Sequence, residues 1–436
     1  MFEKKYPKVL VISNNCFSLT DSNGRTLGNF LNGWPKQNLA QFYIQNSYPS
    51  FDVCENFFRV TDAQALSALK TGKSSGGRIG YSEKNNTVCN ANSFKSKKSR
   101  NALTMIARNI VWQSGAWQKC GFWQWVGNFS PDVVLLQAGD CAFMFRLAEK
   151  ISKKYNAKLL IYNSEGYYFK KFDYFKGNGI AKLVYPIFRI DLRKALRKAY
   201  RTAEHIFYTC DELEKAYDKD FKVPSSTLYT SSSIEPKKNV TYNPRCIVSY
   251  CGNLGIGRHQ GLIEIANALQ DISEDLFVDV YGGIPNQEVA DEFENCKGIR
   301  FHGRVPYEQV KDILYSSDII LHVESFDTFY KEDLKFAFST KIADSLSCGT
   351  CFLIYAPESL ACSRYLIENE AAYVVSKREE LHLVLEAVVR DSNCRQKYIG
   401  NALKIAQQNH QLDKNCEIFQ KTLKSMYLKQ GGKFLI

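Results

Sequence analysis

No apolar run in the 436-residue chain approaches the ~20 residues that a membrane-spanning helix needs. The first run, Val9-Leu10-Val11-Ile12, is followed at once by Asn14-Asn15 and is too short for the core of a secretory signal. Clustered metal ligands are also lacking. The 14 Cys stand singly in apolar or helical contexts, and the one Cys-x-x-Cys, Cys348 to Cys351, has no second pair beside it, while His302 and His322 are lone residues at strand-like positions. These absences exclude a disulfide-stapled module and argue against a zinc site, so the chain reads as a cytoplasmic protein with buried thiols. Carboxylates are missing from one long stretch, residues 84–131, which holds seven Lys or Arg and four of the five Trp.

What is present is an ordinary globular composition, 45% hydrophobic and 23% charged, in a chain long enough for two cores, since single cores stop growing near ~250–300 residues. Lys plus Arg number 57 against 45 Asp plus Glu, a net charge of +12 that favours anionic partners such as phosphorylated ligands, acidic lipid or nucleic acid. Short apolar runs recur, each followed by a polar or Gly-rich turn and a helical period, which predicts strand–helix units and parallel sheets. The predicted strands are Lys8–Ser13, Val133–Gln137, Lys158–Asn163, His205–Thr209, Ile247–Gly252, Phe277–Tyr281, Ile299–His302, Ile319–Val323 and Thr350–Tyr355. The aperiodic stretch Ser231–Asn243 predicts a boundary between domains at 1–233 and 244–436, with a helical tail over Cys394–Leu428 that can pack on either. Further helices are predicted over Arg100–Gln118, with Leu103, Ile106, Ile110 and Trp117 on one face, and over the basic segment Asp191–Arg201.

Two patterns carry candidate chemistry. In Ile247-Val248-Ser249-Tyr250-Cys251-Gly252-Asn253-Leu254-Gly255-Ile256-Gly257-Arg258, glycines between a strand end and a helix start let backbone N–H groups approach a phosphate, and Arg258 adds a fork of donors. In Phe338-Ser339-Thr340-Lys341-Ile342-Ala343-Asp344, a helix starting near Ser339 would point the Thr340 and Lys341 amides at an anion, and the Asp344 carboxylate, one turn on, could accept from a ribose diol. The plain alternatives are an ordinary sheet turn and a Ser-capped amphipathic helix.

The order and spacing of these segments over most of residues 245–375 resemble the GT-B nucleotide-sugar glycosyltransferases, and most closely retaining glycosyltransferase family 4. Tyr250–Arg258 is similar to the family's phosphate segment, Phe301-His302-Gly303-Arg304-Val305-Pro306 to its base-reading segment, and Ser339–Gly349 to its Glu-Ala-x-Ala-x-Gly helix. A looser match runs through Asp21–Phe30, Gln137–Asp140 and Asn163–Tyr167. The resemblance implies an α/β fold of two Rossmann-like parallel-sheet domains facing each other across a cleft, with the donor on the C-terminal domain. It implies donor contacts from Gly24, Gly252, Asn253, Gly255, Arg304, Val305, Glu324, Ser339, Thr340 and Asp344, and catalytic roles for Arg258 and Lys341; Asp140 and Glu165, acids at strand ends, are further catalytic candidates that could hydrogen-bond an acceptor hydroxyl or else cap the turn that follows. The family's Arg–Lys pair is here Asn253 and Arg258. Its first motif glutamate is Phe336, which leaves Glu324, Asp327, Glu332 or Asp333 to meet the sugar.

The implied reaction moves a sugar, with retention, from a nucleotide diphosphate sugar to a saccharide or lipid-linked saccharide in surface polysaccharide or glycan biosynthesis. The nucleotide sugar is a co-substrate, and neither a further cofactor nor a metal is implied. Rival readings are weaker. Gly255-Ile256-Gly257-Arg258-His259-Gln260-Gly261 has the wrong spacing for an NAD(P)-dependent oxidoreductase, and Asp279 falls inside its strand rather than at its end. A nucleic-acid binder would want a recognised module, and none is present. Gly72-Lys73-Ser74 lacks the rest of a phosphate loop, and Asp218-x-Asp220 follows a polar helix rather than an apolar strand. The carboxylate-free segment, with Trp112, Trp117, Trp123 and Trp125 among its cations, could meet anionic lipid at the inner face of the cell membrane; the alternative is that these Trp are core.

Overall fold

The computed structural model describes residues 6–19, 22–73, 76–81, 100–238 and 243–431. They form two compact units, Met1–Leu228 with Cys416–Ile436, and Tyr229–Asn415. The division falls twice rather than once across Ser231–Asn243. The chain just after Leu228 is already tied into the second unit: the Asn415 side-chain amide donates to the Tyr229 carbonyl at 2.9 Å, and the Ser232 N–H donates to the His410 carbonyl at 2.9 Å.

The first unit is built on strands β1 (Val9–Ser13), β2 (Leu39–Tyr43), β3 (Phe57–Arg59), β4 (Gly77–Ile79), β5 (Val133–Gln137), β6 (Lys158–Asn163), β7 (His205–Tyr208) and β8 (Ser225–Thr227). They lie in the order β4-β3-β2-β1-β5-β6-β7-β8, parallel throughout except for β4. The chain starts at β1, builds outward on one side, then returns to β5 on the other, so the connection reverses between β1 and β5. β1 and β5 are wholly buried, as strands covered on both faces must be, which is why they read as unbroken apolar runs.

Two expectations about this unit are corrected. The helix predicted over Arg100–Gln118 stops at Gln113, and its inward face is Ala102, Met105, Asn109 and Trp112, whereas Leu103 and Ile110 are exposed. Trp112 sets that phase: its ring stacks on Phe143 at 4.5 Å and its indole N–H donates to Asp62 at 2.8 Å. The same packing removes the expected indole face for lipid. Trp112, Trp117 and Trp125 are buried around Phe42, Phe58 and Phe122, and the Trp123 ring is covered by Lys150 and Lys154. Lys84, Lys95, Lys97 and Lys98 lie outside the described residues.

The second unit has six parallel strands, β9 (Val248–Asn253), β10 (Val278–Gly283), β11 (Ile299–Gly303), β12 (Ile319–Val323), β13 (Cys351–Tyr355) and β14 (Tyr373–Val375), ordered β11-β10-β9-β12-β13-β14. Its chain direction reverses between β9 and β12. The helix Arg258–Ile272 lies directly on the sheet because residue 261 is Gly; a Cβ there would come within 2.5 Å of Val323.

The C-terminal helix, Leu412–Gly431, brings Phe419 into the first unit's core, where its ring lies 5.2 Å from Phe30 and 5.0 Å from Phe207. Phe419→Ala should cost that unit about 3–5 kcal/mol. All five Trp belong to the first unit, so their fluorescence reports on it alone, and the guanidinium midpoint should fall. An unchanged midpoint would contradict the packing.

Candidate active site

In an open parallel sheet, ligands collect at the carboxyl ends of strands where the chain direction reverses. In the second unit that point is the gap between β9 and β12. After β9 the chain runs Asn253-Leu254-Gly255-Ile256-Gly257 into the helix Arg258–Ile272. Asn253 Oδ1 accepts from the Gly255 N–H at 3.0 Å, and Ile256 and Gly257 both have positive φ, 65° and 71°. For a β-branched residue such as Ile256 that conformation is costly and persists only when its surroundings fix it. A Cβ on Gly257 would lie 2.6 Å from Ser325 Oγ, so the turn is pressed against the chain leaving β12. No side chain caps the helix that follows, which leaves its first N–H groups and positive dipole end for an anion.

Arg258 opens that helix. Its Nε and Nη2 donate to Glu324 Oε2 and Oε1 at 2.9 and 2.8 Å, and His322 Nε2 lies 3.1 Å from the same Oε1. All three side chains are buried or nearly so. Burial acts to raise the Glu324 pKa, but Arg258 and His322 outweigh it and hold the carboxyl down at about 2. Burial also lowers the His322 pKa, more than its bond to Glu324 raises it. Glu324, one of the carboxylates expected to meet the sugar, has both oxygens engaged as the anchor of Arg258. Arg258 keeps Nη1, which makes no hydrogen bond among the described residues.

Lys341 stands beside this pair at the start of the helix Thr340–Ser347, whose cap is Ser339; the Ser339 hydroxyl accepts from the Lys341 N–H at 3.4 Å. The Lys341 ammonium has no hydrogen bond or ion pair among the described residues. Its burial, and then the charge of Arg258, push its pKa below the ordinary lysine value. Asp344, expected to take a ribose diol, is buried, and its Oδ1 already accepts from Ser232 Oγ at 2.6 Å and Tyr307 OH at 3.2 Å. The carboxylate thus already holds two protein hydroxyls, the pair of donors that a diol would offer.

The neighbouring strand ends are held close by glycine. Gly282 pairs with Gly252, and a Cβ on Gly282 would sit 2.2 Å from the Gly252 carbonyl oxygen; one on Gly283 would sit 2.1 Å from Arg304 Nε. The Arg304 side chain, exposed at the carboxyl end of β11, thus lies over the end of β10, and Val305 is half-buried beside it. Asp279 is bound to His302 Nε2 at 2.7 Å, and β10 runs on past it to Gly283.

In the first unit the reversal lies between β1 and β5. Asp140, just beyond β5, is buried and ion-paired with Arg100, which also lies over the Phe175 ring. Glu165, beyond β6, has Lys170 Nζ 3.9 Å from its Oε2, and that buried ammonium lies over the rings of Tyr167 and Tyr174 at 4.6 and 5.0 Å. The sequence indicated both carboxylates but neither cation partner: Arg100 reaches Asp140 from 40 positions away, and Lys170, though in the same loop as Glu165, has no regular period that would bring the two together. Gly24 is the donor contact that the resemblance implies in this unit. It is buried, and a Cβ there would come within 2.1 Å of the Cys16 carbonyl, so its missing side chain closes the chain between β1 and the helix Ser22–Phe30. Asp218 is occupied as the acceptor of Ser225 Oγ, at 3.1 Å from each oxygen.

Comparison with known proteins identifies the fold. A family model described as glycosyl transferase-like matches residues 258–421. No curated protein is significantly similar in sequence. Among solved structures, sucrose-phosphate synthase from Thermosynechococcus elongatus aligns with a TM-score of 0.65 at 12% identity, over 97% of this chain and 99% of that one. Anabaena HepE in complex with UDP aligns at 0.61 and 11%, over 96% and 100%. An E. coli protein titled trehalose-6-phosphate, bound with UDP-2-fluoro glucose, aligns at 0.57 and 11%, over 95% and 98%. The chain has the GT-B fold.

Removing the Glu324 charge strands a buried guanidinium, so Glu324→Gln should cost about 3–5 kcal/mol. The sign with pH follows from the depressed pKa. Glu324 contributes stability that is fully present above the unfolded value of 4.5 and is lost as pH falls towards about 2. Circular dichroism melts between pH 6 and 2 should show a shallower acid decline in Glu324→Gln than in the wild type; parallel declines would refute the role given to this carboxylate.

Proposed function

We propose that this chain is a glycosyltransferase that moves a sugar from a nucleoside diphosphate sugar to a saccharide or lipid-linked saccharide acceptor, with retention and without a metal. The observation that carries the reading is the half-buried Lys341 ammonium, without a partner among the described residues, beside an uncapped helix start at the point of the second sheet where the chain reverses. Because Glu324 neutralises Arg258, the uncompensated charge there is that of Lys341, and a diphosphate is an anion of matching size and chemistry. The match to a glycosyl transferase-like model supports the reaction class. HepE and the E. coli protein were solved with UDP or a UDP sugar, which supports a uridine diphosphate donor.

In this reading the bond from the sugar's anomeric carbon to the leaving phosphate oxygen breaks while the acceptor oxygen bonds to the same face of that carbon. The acceptor's proton passes to the leaving phosphate. Lys341, Arg258 Nη1 and the amides at Arg258 and Thr340 meet the charge that grows on the diphosphate. Arg304 and Val305 line the base side, Asn253 and Gly255 hold the phosphate turn, and Asp344 reaches the ribose by exchanging a hydroxyl partner. Asp140 and Glu165, each beside a cation, offer hydrogen bonds to acceptor hydroxyls.

UDP or GDP should raise the melting temperature and NAD or NADP should not; the reverse pattern would sink the assignment. Lys341→Ala should cut turnover by ~10²-fold with little change in melting. A bound diphosphate raises the depressed Lys341 pKa, so UDP binding takes up protons at alkaline pH, and affinity falls as pH climbs through the unliganded value. Titration calorimetry in buffers of different ionisation enthalpy should show that uptake in the wild type and lose it in Lys341→Ala.

Activity should persist in excess chelator, because protein cations and helix-start amides are assigned to the leaving group. Loss of activity that manganese or magnesium restores would contradict the metal-free part of the proposal alone.

A further inference from the structure

The helices Ile180–Leu183 and Tyr185–Thr202 of the first unit carry two apolar faces. The inner one, with Phe188, Leu192 and Leu196, is buried in the unit. The outer one is Ile180, Leu183, Ile187 and Ile190, exposed by 67, 77, 60 and 65%. Steps of three, four and three residues place these four along one stripe. A stripe of large aliphatic residues left in water is not needed by a core that already has its own face, and such patches mark contact sites.

The charges around the stripe identify the partner. Between Tyr174 and Ala203 there are eight Lys or Arg and a single acid, Asp191, and Asp191 is held by Arg146. Lys182 and Lys194 are exposed and have no carboxylate partner among the described residues. Protein interfaces usually centre on aromatic anchors, whereas aliphatic side chains flanked by lysines are the pattern of a helix lying in a lipid headgroup layer.

We infer that this outer face docks on an anionic phospholipid surface. At about 1.5 Å per residue the stretch from Ile180 to Lys194 gives a contact about 20 Å long. The stripe enters the headgroup–acyl boundary, while Lys182 and Lys194 meet phosphates; apolar insertion and a basic patch together give the two signals that stable peripheral attachment needs. The inference is independent of the donor reading, since none of these residues belongs to the site proposed for the nucleotide.

Vesicle co-sedimentation of the full chain tests it. The wild type should pellet with phosphatidylglycerol-rich vesicles at low salt, remain in the supernatant with pure phosphatidylcholine, and release as salt rises. Ile187→Gln/Ile190→Gln should weaken binding at least ~10-fold and Lys182→Gln/Lys194→Gln about 30-fold. All four side chains being exposed, melting temperatures should not move. A wild type that stays in the supernatant with anionic vesicles, or variants that both pellet as the wild type does, would overturn the inference. So would a wild-type dimer, by sedimentation velocity, that the isoleucine variant converts to monomer without altering vesicle binding: the stripe would then belong to a second copy of the chain.

Discussion

The second unit depends on one buried ion pair, the fork of Arg258 on Glu324. It fastens the first helical residue after β9 to the residue just beyond β12, which are the two strands between which the chain reverses. Two charges removed from water are tolerated there because the contact is bidentate and His322 satisfies part of what remains of the carboxylate. The pair also sets the electrostatics of its surroundings. With Arg258 neutralised, the positive potential at the helix start comes from the backbone dipoles and from Lys341, and Arg258 is near enough to press on the Lys341 pKa. Around this pair the structural charges cancel, and one further charge, that of Lys341, has no partner among the described residues.

Close backbone approach is the second constraint, and glycine is the residue that permits it. Gly252 and Gly282 face each other at the ends of β9 and β10, and Gly283 leaves room for the Arg304 guanidinium. Gly257 lets the turn rest on Ser325, and Gly261 lets the helix rest on Val323 and Tyr355. In the first unit Gly24 performs the same packing role between its helix and the Cys16 carbonyl. A glycine after a first strand can thus have two meanings, room for a ligand or room for the protein itself, and the neighbouring backbone separates them.

Much of the architecture was legible because parallel strands buried on both faces must be continuous apolar runs; β1, β5, β6 and β13 announce themselves in this way. β2 did not, since its centre is Gln41, a buried amide that donates to Ser13 Oγ at 2.8 Å and accepts from the Phe17 N–H at 2.9 Å. β3, β4, β8 and β14 have three residues each, too few to show a period. The candidate site was legible as a set of residue types but not as a set of pairs. Arg258 and Glu324 lie 66 positions apart, Ser232 and Asp344 lie 112 apart, and Arg100 reaches Asp140 from another segment. Spacing along a chain indicates which charges share a turn or a helix face, whereas the partner that neutralises a charge is chosen by topology.

The basic surplus shows the same limit at the scale of the whole molecule. A net charge of +12 invites the reading that cations gather where a phosphorylated ligand binds. The distribution argues otherwise. Residues 84–131 and 174–203 together hold more than the entire surplus, and the rest of the chain, including the unit with the Arg258–Glu324 pair, has a slight excess of carboxylates. The anion recognition proposed for the β9–β12 reversal would need few charges, because burial strengthens each of them and backbone amides add more. A surface that meets headgroups in water works in the opposite regime. There each cation contributes little and is screened by salt, so many are required, and they must accompany apolar side chains that reach past the charged layer. The helix Tyr185–Thr202 has that composition on its outer face while keeping a complete apolar face inward, which is why its sequence reads only as basic until its two faces are separated.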